Sequence, residues 1–334
     1  MKKLTKVLAA VLSVSMIAVT AAACSGDTTG GTDQELPTVG IIQYAAHPSL
    51  DNCYTGLMQG IEAAGYKDGE NVKIDYQNAQ NSTETAEQIA ANMVAKNYDV
   101  VVGIATPAAL AAYGKAQGSN TQVVFCAVSD PVEAKLVADM NVPGGNCTGT
   151  SDFLPLEEQL QMIRAFQPDA TKIGVLYTTN ESNSLSHLKR LEELAPQYGF
   201  EIISQGVQTS SDIPQAAASL VAQVDCITNF TDNNVVTNLP TLLSQATAAG
   251  VPVYGSEIEQ VKNGCIASEG LDYITLGNQT GAMVGKILGG TSAGTIPVER
   301  IENPTPVVND AVAAQFGITV PADYASAERV STNA

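Results

Sequence analysis

The 334-residue sequence contains no tryptophan and only two histidines, His47 and His187. Without tryptophan it lacks the side chain on which sugar sites commonly stack a ring. Basic residues are scarce: 16 Lys and Arg stand against 34 Asp and Glu, a formal net charge of −18. Phosphate binding needs clustered Lys and Arg, so nucleic acid is excluded as a partner. The acidic balance reads instead as a solubility device. There is no G-x-S-x-G elbow, no G-x-x-x-x-G-K-[ST] loop and no H-E-x-x-H helix, so common enzyme signatures are missing. Gly289, Gly290 and Gly294 lack dinucleotide spacing and follow a helical pattern rather than a strand. The six cysteines form no C-x-x-C pair and no zinc pattern. No enzyme activity, cofactor or metal is expected.

What the chain does have is core-forming material, with 45% hydrophobic and 15% charged residues, which argues against disorder. Cys126 and Cys226 sit in apolar strand patterns and read as small buried hydrophobes. One disulfide among Cys53, Cys126, Cys147, Cys226 and Cys265 is compatible with the sequence, whereas a framework of them is not. His187, in a polar helical stretch, reads as a solvated surface residue.

Residues 1–23 read as a signal peptide: Lys2, Lys3 and Lys6 precede the apolar run Val7 to Val19, and small residues Ala21 to Ala23 follow. Cys24 comes directly after them, as in a lipobox, with Ala21 in place of the usual branched residue. That order predicts a lipidated (palmitate-bearing) Cys24 and a flexible tether over 24–36, its Ser/Gly/Thr/Asp composition suited to a surface anchor. An ordinary cleaved signal with an incidental cysteine is the plainer alternative.

Beyond residue 36 the chain repeats itself. Lys172-Ile-Gly-Val-Leu-Tyr177 echoes Thr38-Val-Gly-Ile-Ile-Gln43, and three further strand-like stretches recur in the same order. A period of about 130 residues is too long for a solenoid but fits one α/β domain built twice. Strands near 38–43, 72–77, 99–104 and 122–127 alternate with helical patterns over 50–64, 83–96 and 107–115. The second half repeats this with strands near 172–177, 200–205, 224–230 and 251–254 and helices near 184–198, 212–223, 234–249 and 257–262. Alternation of this kind predicts βαβ units and doubly wound parallel sheets. The tail, with a helix over 274–288 and a strand over 304–308, is expected to return to each lobe in turn. The expected fold is therefore α/β: lobe one spans 37–150 plus 272–298 and lobe two spans 151–271 plus 299–330. A hinge of three crossings joins them, near 148–153, 269–272 and 297–302.

Several stretches carry a family resemblance: His47-Pro48-Ser49-Leu50-Asp51, Asp75-Tyr76-Gln77-Asn78-Ala79-Gln80, Ala105-Thr106-Pro107-Ala108-Ala109, Ser129-Asp130-Pro131, Gly145-Asn146-Cys147-Thr148-Gly149 and Thr231-Asp232-Asn233. On these the chain resembles the type I periplasmic-binding-protein-like lipoproteins of ABC transporters, in the branch associated with tryptophan and tyrosine uptake. The resemblance implies a monomer tethered by lipid to the extracytoplasmic face of the cell membrane. It also implies delivery of a bound solute to an ABC permease and its ATPase. A surface ligand-sensing accessory protein, or a binding protein for a sugar-like solute, is the rival reading.

Ligands of open parallel sheets lie beyond the carboxyl ends of strands. That rule selects Tyr44, His47, Thr106, Ser129 and Asp130 in lobe one, and Tyr177, Asn180, Asp232, Asn233, Ser256 and Glu257 in lobe two. The set contains no Lys or Arg. A ligand carboxylate would then rest on hydroxyls and helix-start N–H groups such as that at Thr106. Asp232, Glu257 and Asp130 are candidates for a ligand ammonium, and Tyr44, Tyr177 and Phe230 for an apolar or aromatic side chain. A small amino acid fits this inventory. Plainer roles stand beside these: Thr106 and Asp232 fit helix caps, Asp130 a turn, His47 loop shape and Tyr177 core packing.

Overall fold

A computed structural model describes residues 35–301 and 304–332; the signal, Cys24 and nearly all of the tether read from sequence lie outside this range. Lobe one begins β1 (Thr38–Gln43), α1 (Pro48–Ala63), β2 (Lys73–Asn78), α2 (Thr83–Ala95), β3 (Val100–Ile104), α3 (Thr106–Ala116), β4 (Gln122–Cys126) and β5 (Cys147–Ser151). Lobe two follows with α4 (Leu156–Phe166), β6 (Lys172–Thr178), α5 (Ser182–Leu194), β7 (Glu201–Val207), α6 (Ile213–Val221) and β8 (Cys226–Thr228). It continues with α7 (Asn233–Thr237), α8 (Leu239–Ala249), β9 (Val253–Tyr254), α9 (Ile258–Lys262) and β10 (Ala267–Gly270). The chain then adds α10 (Tyr273–Leu288), β11 (Glu299–Arg300), β12 (Thr305–Val308), α11 (Asp310–Gln315) and β13 (Glu328–Arg329).

The first sheet is entirely parallel, in the order β11-β5-β4-β3-β1-β2. Its central strand β3, Val-Val-Val-Gly-Ile, is buried at every position because helices cover both faces. The second sheet runs β7-β6-β8-β9. Backbone bonds from Gly255 to Ala267 (2.9 Å) and from Ile266 to Val253 (2.8 Å) carry it on to β10, which joins β12 and β13. The first five strands therefore follow the same order in both halves. The outer strands differ: β11 is parallel to β5, whereas β12 is antiparallel to β10 and is followed by β13.

Two elements around the first crossing escaped the sequence reading, as did β13 near the end of the chain. β5, Cys-Thr-Gly-Thr-Ser, has small polar residues yet is wholly buried between β4 and β11. α4 opens without a Ser, Thr, Asp or Asn cap, behind Pro155, although its Leu156, Leu160 and Ile163 face inward at helical spacing. Another difference moves a lobe boundary. Glu299 and Arg300 pair with Thr150 and Ser151 of β5, so these residues belong to lobe one, and lobe two resumes at β12. His187 is a further correction: it is 1% exposed and packs its ring 5.3 Å from that of Phe230. α5 turns His187, Leu188 and Leu191 inward together despite the polar composition around them. All five cysteines among the described residues are buried free thiols.

Lobe one is tied together by α1 against α10. Gly56 and Gly60 of α1 meet Gly277 and Gly281 of α10, and the two backbones touch. This contact fixes where both helices begin, and both begin at the cleft.

Candidate functional site

Between the lobes lies a narrow cavity, nearly closed by side chains of both lobes. Strand ends and helix starts build its wall. From α1 come His47, Ser49 and Leu50; from the start of α3, Ala105 and Thr106; from the end of β4, Ala127 and Ser129. Lobe two supplies Asn183, Thr231, Asn233, Val236, Glu257 and Gln260, while Asp152 in the first crossing and Tyr273 at the start of α10 close the hinge side. The first turns of six helices thus converge here. Three of them, α1, α3 and α5, have no side-chain cap, and their first N–H groups and positive dipole ends favour an anion. No Lys or Arg lines the cavity.

The lobes are in contact across the cleft. Ser49 Oγ donates to Glu257 Oε1 (3.1 Å), Asn52 Nδ2 to Glu259 Oε1 (3.2 Å) and Ser186 Oγ to Asp130 Oδ2 (3.2 Å), and Ser129 Oγ lies 3.5 Å from Thr231 Oγ1. Ala105 and Ala127, both in the wall, hold φ of 76° and 58°. Non-glycine residues at such angles are strained and gather at ligand clamps.

Of the residues expected from sequence, the cavity brings together His47, Thr106, Ser129, Asn233 and Glu257. The others lie elsewhere. Tyr44 is buried with its hydroxyl 3.4 Å from both Asn81 O and Thr83 Oγ1. Asp130 accepts from Glu133 N (2.9 Å), making the turn, and from Ser186 across the cleft. Tyr177 packs on Gly206, and Asn180 sits in an outer depression with Thr83 and Pro107. Ser256 accepts from Gln260 Nε2 (3.0 Å), and Phe230 is core.

Asp232 corrects the sequence expectation most sharply. It is 0% exposed, and its carboxylate accepts from Thr178 N (2.6 Å), Thr178 Oγ1 (2.8 Å), Ser184 Oγ (2.7 Å) and Val235 N (2.9 Å). It caps α7 and ties α5 and β6 to it. Nothing of it is left for an ammonium group.

The cavity carboxylate not committed to a helix cap is Asp152, which the sequence reading passed over. Ser129 Oγ donates to its Oδ1 (3.0 Å) and Tyr273 Oη to its Oδ2 (2.8 Å). Burial raises its pKa, and the Tyr273 and Ser129 hydrogen bonds pull it back. Glu257, by contrast, is occupied as the cap of α9 through Glu259 N (2.6 Å) and Gln260 N (2.8 Å). Among the described residues no group of His, Cys, Asp or Glu is arranged to hold a metal ion.

Buried titratable groups give the fold a pH dependence of definite sign. Burial pushes Glu257 and Glu269 up to about 7 and, with the charge of Asp232 second, Glu181 up to about 8. The unfolded carboxyls titrate near ~4.3, so between there and neutrality the folded state holds the extra protons and loses stability as pH rises. Burial lowers His47 to about 4 and His187 to about 3. Both oppose this below about pH 6.5, where only the unfolded chain protonates them. Above that pH the carboxylates act. Toward about pH 8.5 they are joined by the buried thiols of Cys147, Cys226 and Cys265, whose pKa burial raises and which therefore push in the same direction. The apo domain should therefore melt several degrees lower near pH 8.5 than near pH 6.5. A flat or rising Tm over this window would contradict the burial of these groups.

Two lobes whose first five strands share one order, three crossings and a polar cavity enclosed by helix starts define a two-lobed solute-binding protein with the type I periplasmic-binding fold. The chain belongs to the ABC transporter substrate binding protein family, which it matches over residues 38–330. It is 37% identical over 317 residues to the tyrosine-binding protein of Clostridioides difficile (strain R20291), covering 92% of this chain and 90% of that one. Among solved structures it is similar to the ABC domain in complex with L-Trp from Streptococcus pneumonia, at 33% identity and a TM-score of 0.85. The match covers 88% of this chain and 99% of that one. The ligand-free, open structure of a substrate binding protein with adhesive properties from Clostridium difficile is 36% identical. It covers 89% of this chain and 100% of its own, at a TM-score of 0.68.

Proposed function

We propose that this protein captures an aromatic amino acid between its lobes and delivers it to an ABC permease with its ATPase. The observation that carries the reading is the cavity's charge arrangement. Helix starts, above all that of α3 at Thr106, supply the donors a carboxylate needs, and Asp152 supplies the buried charge an ammonium needs. A zwitterion satisfies both; a sugar can hydrogen-bond Asp152 but brings no counter-charge to it. The relatives support the same class of ligand, one being a tyrosine-binding protein and one a complex with L-Trp.

Mechanism follows from closure. At nearly equal identity, the chain matches the L-Trp complex far better than the open ligand-free structure, 0.85 against 0.68. The hydrogen bonds across the cleft, such as Ser49 to Glu257, belong to the closed form. Ligand would favour that form by bridging groups of both lobes, shifting an open–closed population by its differential affinity. Binding would be the whole of its chemistry, with no catalytic step. The protein would act as a monomer.

The test is thermal denaturation of the domain from Leu36 onward with L-tyrosine, L-tryptophan, L-phenylalanine, L-leucine and glucose. A ligand at 100 times its Kd adds about 2.7 kcal/mol of stability. An aromatic amino acid should raise Tm while glucose leaves it unchanged. Stabilisation by glucose alone would replace the reading.

The location rests on Cys24. The protein would be a lipoprotein on the outer face of the cell membrane, its signal removed before a lipidated Cys24. Cys24→Ala should yield unprocessed precursor or released protein in fractionated cells. A mature variant still sedimenting with membranes would mean a different anchor.

A further inference from the structure

The cavity has a second polar group, joined by no hydrogen bond to the side chains of Asp152 or Glu257. Asn183, 4% exposed, donates its Nδ2 to Glu181 Oε2 (3.2 Å) and to Thr231 O (3.2 Å). Asn233 donates its Nδ2 to the same Glu181 oxygen at 2.8 Å. Glu181 is itself held by backbone N–H groups at the start of α7, from Asn233 (3.1 Å) and Asn234 (3.3 Å). Every neighbour bonded to this carboxylate is a donor. An amide that gives its NH₂ group to a carboxylate must aim its carbonyl oxygen elsewhere. Asn183 Oδ1 is buried at the cavity with no partner at all.

His47 stands opposite, beside Asn233. It is 8% exposed; the Asn233 side chain is its hydrogen-bond neighbour, in a geometry too poor to satisfy either ring nitrogen fully. A neutral imidazole offers one donor and one acceptor. Unpaired polar atoms this deeply buried are costly. A ligand carrying a polar hydrogen would relieve that cost.

Resting on the amino-acid reading above, we propose that Glu181 is a positioning residue that fixes the Asn183 and Asn233 amides. With His47 these form a subsite that selects side chains ending in a polar hydrogen, a phenol or an indole, over plain phenyl. The ammonium is assigned elsewhere because a charged donor goes to the carboxylate of Asp152. Neutral amide and imidazole acceptors suit a neutral donor. Phenylalanine would fill the same space and leave Asn183 Oδ1 unpaired.

The experiment is calorimetric titration with L-tyrosine, L-tryptophan and L-phenylalanine, run near about pH 8.5 to keep Glu181 charged. Wild type should bind tyrosine or tryptophan on the order of a hundredfold or more tighter than phenylalanine. In Asn183→Leu and Glu181→Gln the ratio should fall to within about tenfold, chiefly through weaker binding of the polar ligand. Asn183→Leu leaves Glu181 its remaining donors and so stands as the second variant should Glu181→Gln fail to fold. Equal loss for polar and apolar ligands in both variants would make these residues structural supports and overturn the proposal. Wild type binding phenylalanine as tightly as tyrosine and tryptophan would overturn it too, while leaving the amino-acid function intact. Binding of none of the three would remove that function and this inference together.

Discussion

Asp152→Asn should leave the domain folded and weaken aromatic amino-acid binding on the order of a hundredfold or more. Asp152 is the cavity carboxylate that no helix cap uses. Breaking a buried charge pair by removing one partner costs about 3–5 kcal/mol, because the other charge is stranded. Here that other charge is the ligand ammonium. The apo protein should respond in the opposite direction. Burial raises the pKa of Asp152, so its charge is a burden on the empty fold. Asparagine keeps an oxygen for Tyr273 and an NH₂ group for Ser129 Oγ, and removes the burden. The Tm without ligand should stay level or rise while affinity collapses. Calorimetric titration beside a melting curve reads both. Affinity retained within about threefold would move the ammonium to another group and dismantle the proposed site.

The position of Asp152 also shows where sequence reading stops. The repeat predicted two sheets of matching order because Val- and Ile-rich strands and amphipathic helices are local patterns, and the observed orders agree over the first five strands of each half. Strand-end logic likewise led to His47, Thr106, Ser129, Asn233 and Glu257, since these sit just beyond β1, β3, β4, β8 and β9. It missed Asp152 because β5 is made of Cys, Thr, Gly and Ser and reads as a crossing, so its end was not recognised as a strand end. Tyr273 was missed because α10 returns to lobe one from far along the chain. In the loop after β6 the reading chose Asn180, whereas the buried residues are Glu181 and Asn183. Asp232 failed for a different reason. Whether a helix-start carboxylate turns to its own helix or to the cleft depends on side-chain direction, which hydrophobic pattern does not encode. His187 belongs with it, since α5 buries a face that composition alone marks as polar.

Gly277→Ala should destabilise the fold by about 2 kcal/mol or more, against the direction that helix propensity dictates. Exchanging glycine for alanine inside a helix ordinarily gains ~1 kcal/mol. In α10 the new methyl would overlap the carbonyl oxygen of Cys53 and lie 2.7 Å from the backbone nitrogen of Leu57. Gly281 meets Ile61 N at 2.6 Å in the same way, and Gly56 and Gly60 present the matching surface from α1. The obstructing atoms are backbone, so no rotamer change relieves them; the helices must separate. Overpacking of this kind costs typically 1–3 kcal/mol, and here two helices spanning lobe one must shift together. Gly114 supplies the control: it lies in α3 with nothing within 4 Å of its would-be Cβ, so Gly114→Ala should stabilise by up to ~1 kcal/mol. The consequence reaches the ligand because α1 starts behind His47 and α10 starts at Tyr273, whose hydroxyl holds Asp152. Separation of this pair displaces both walls of the cavity, so affinity should fall along with stability in Gly277→Ala and stay unchanged in Gly114→Ala. Denaturant curves in which the two variants move by the same amount in the same direction would show that α1 and α10 are not in backbone contact.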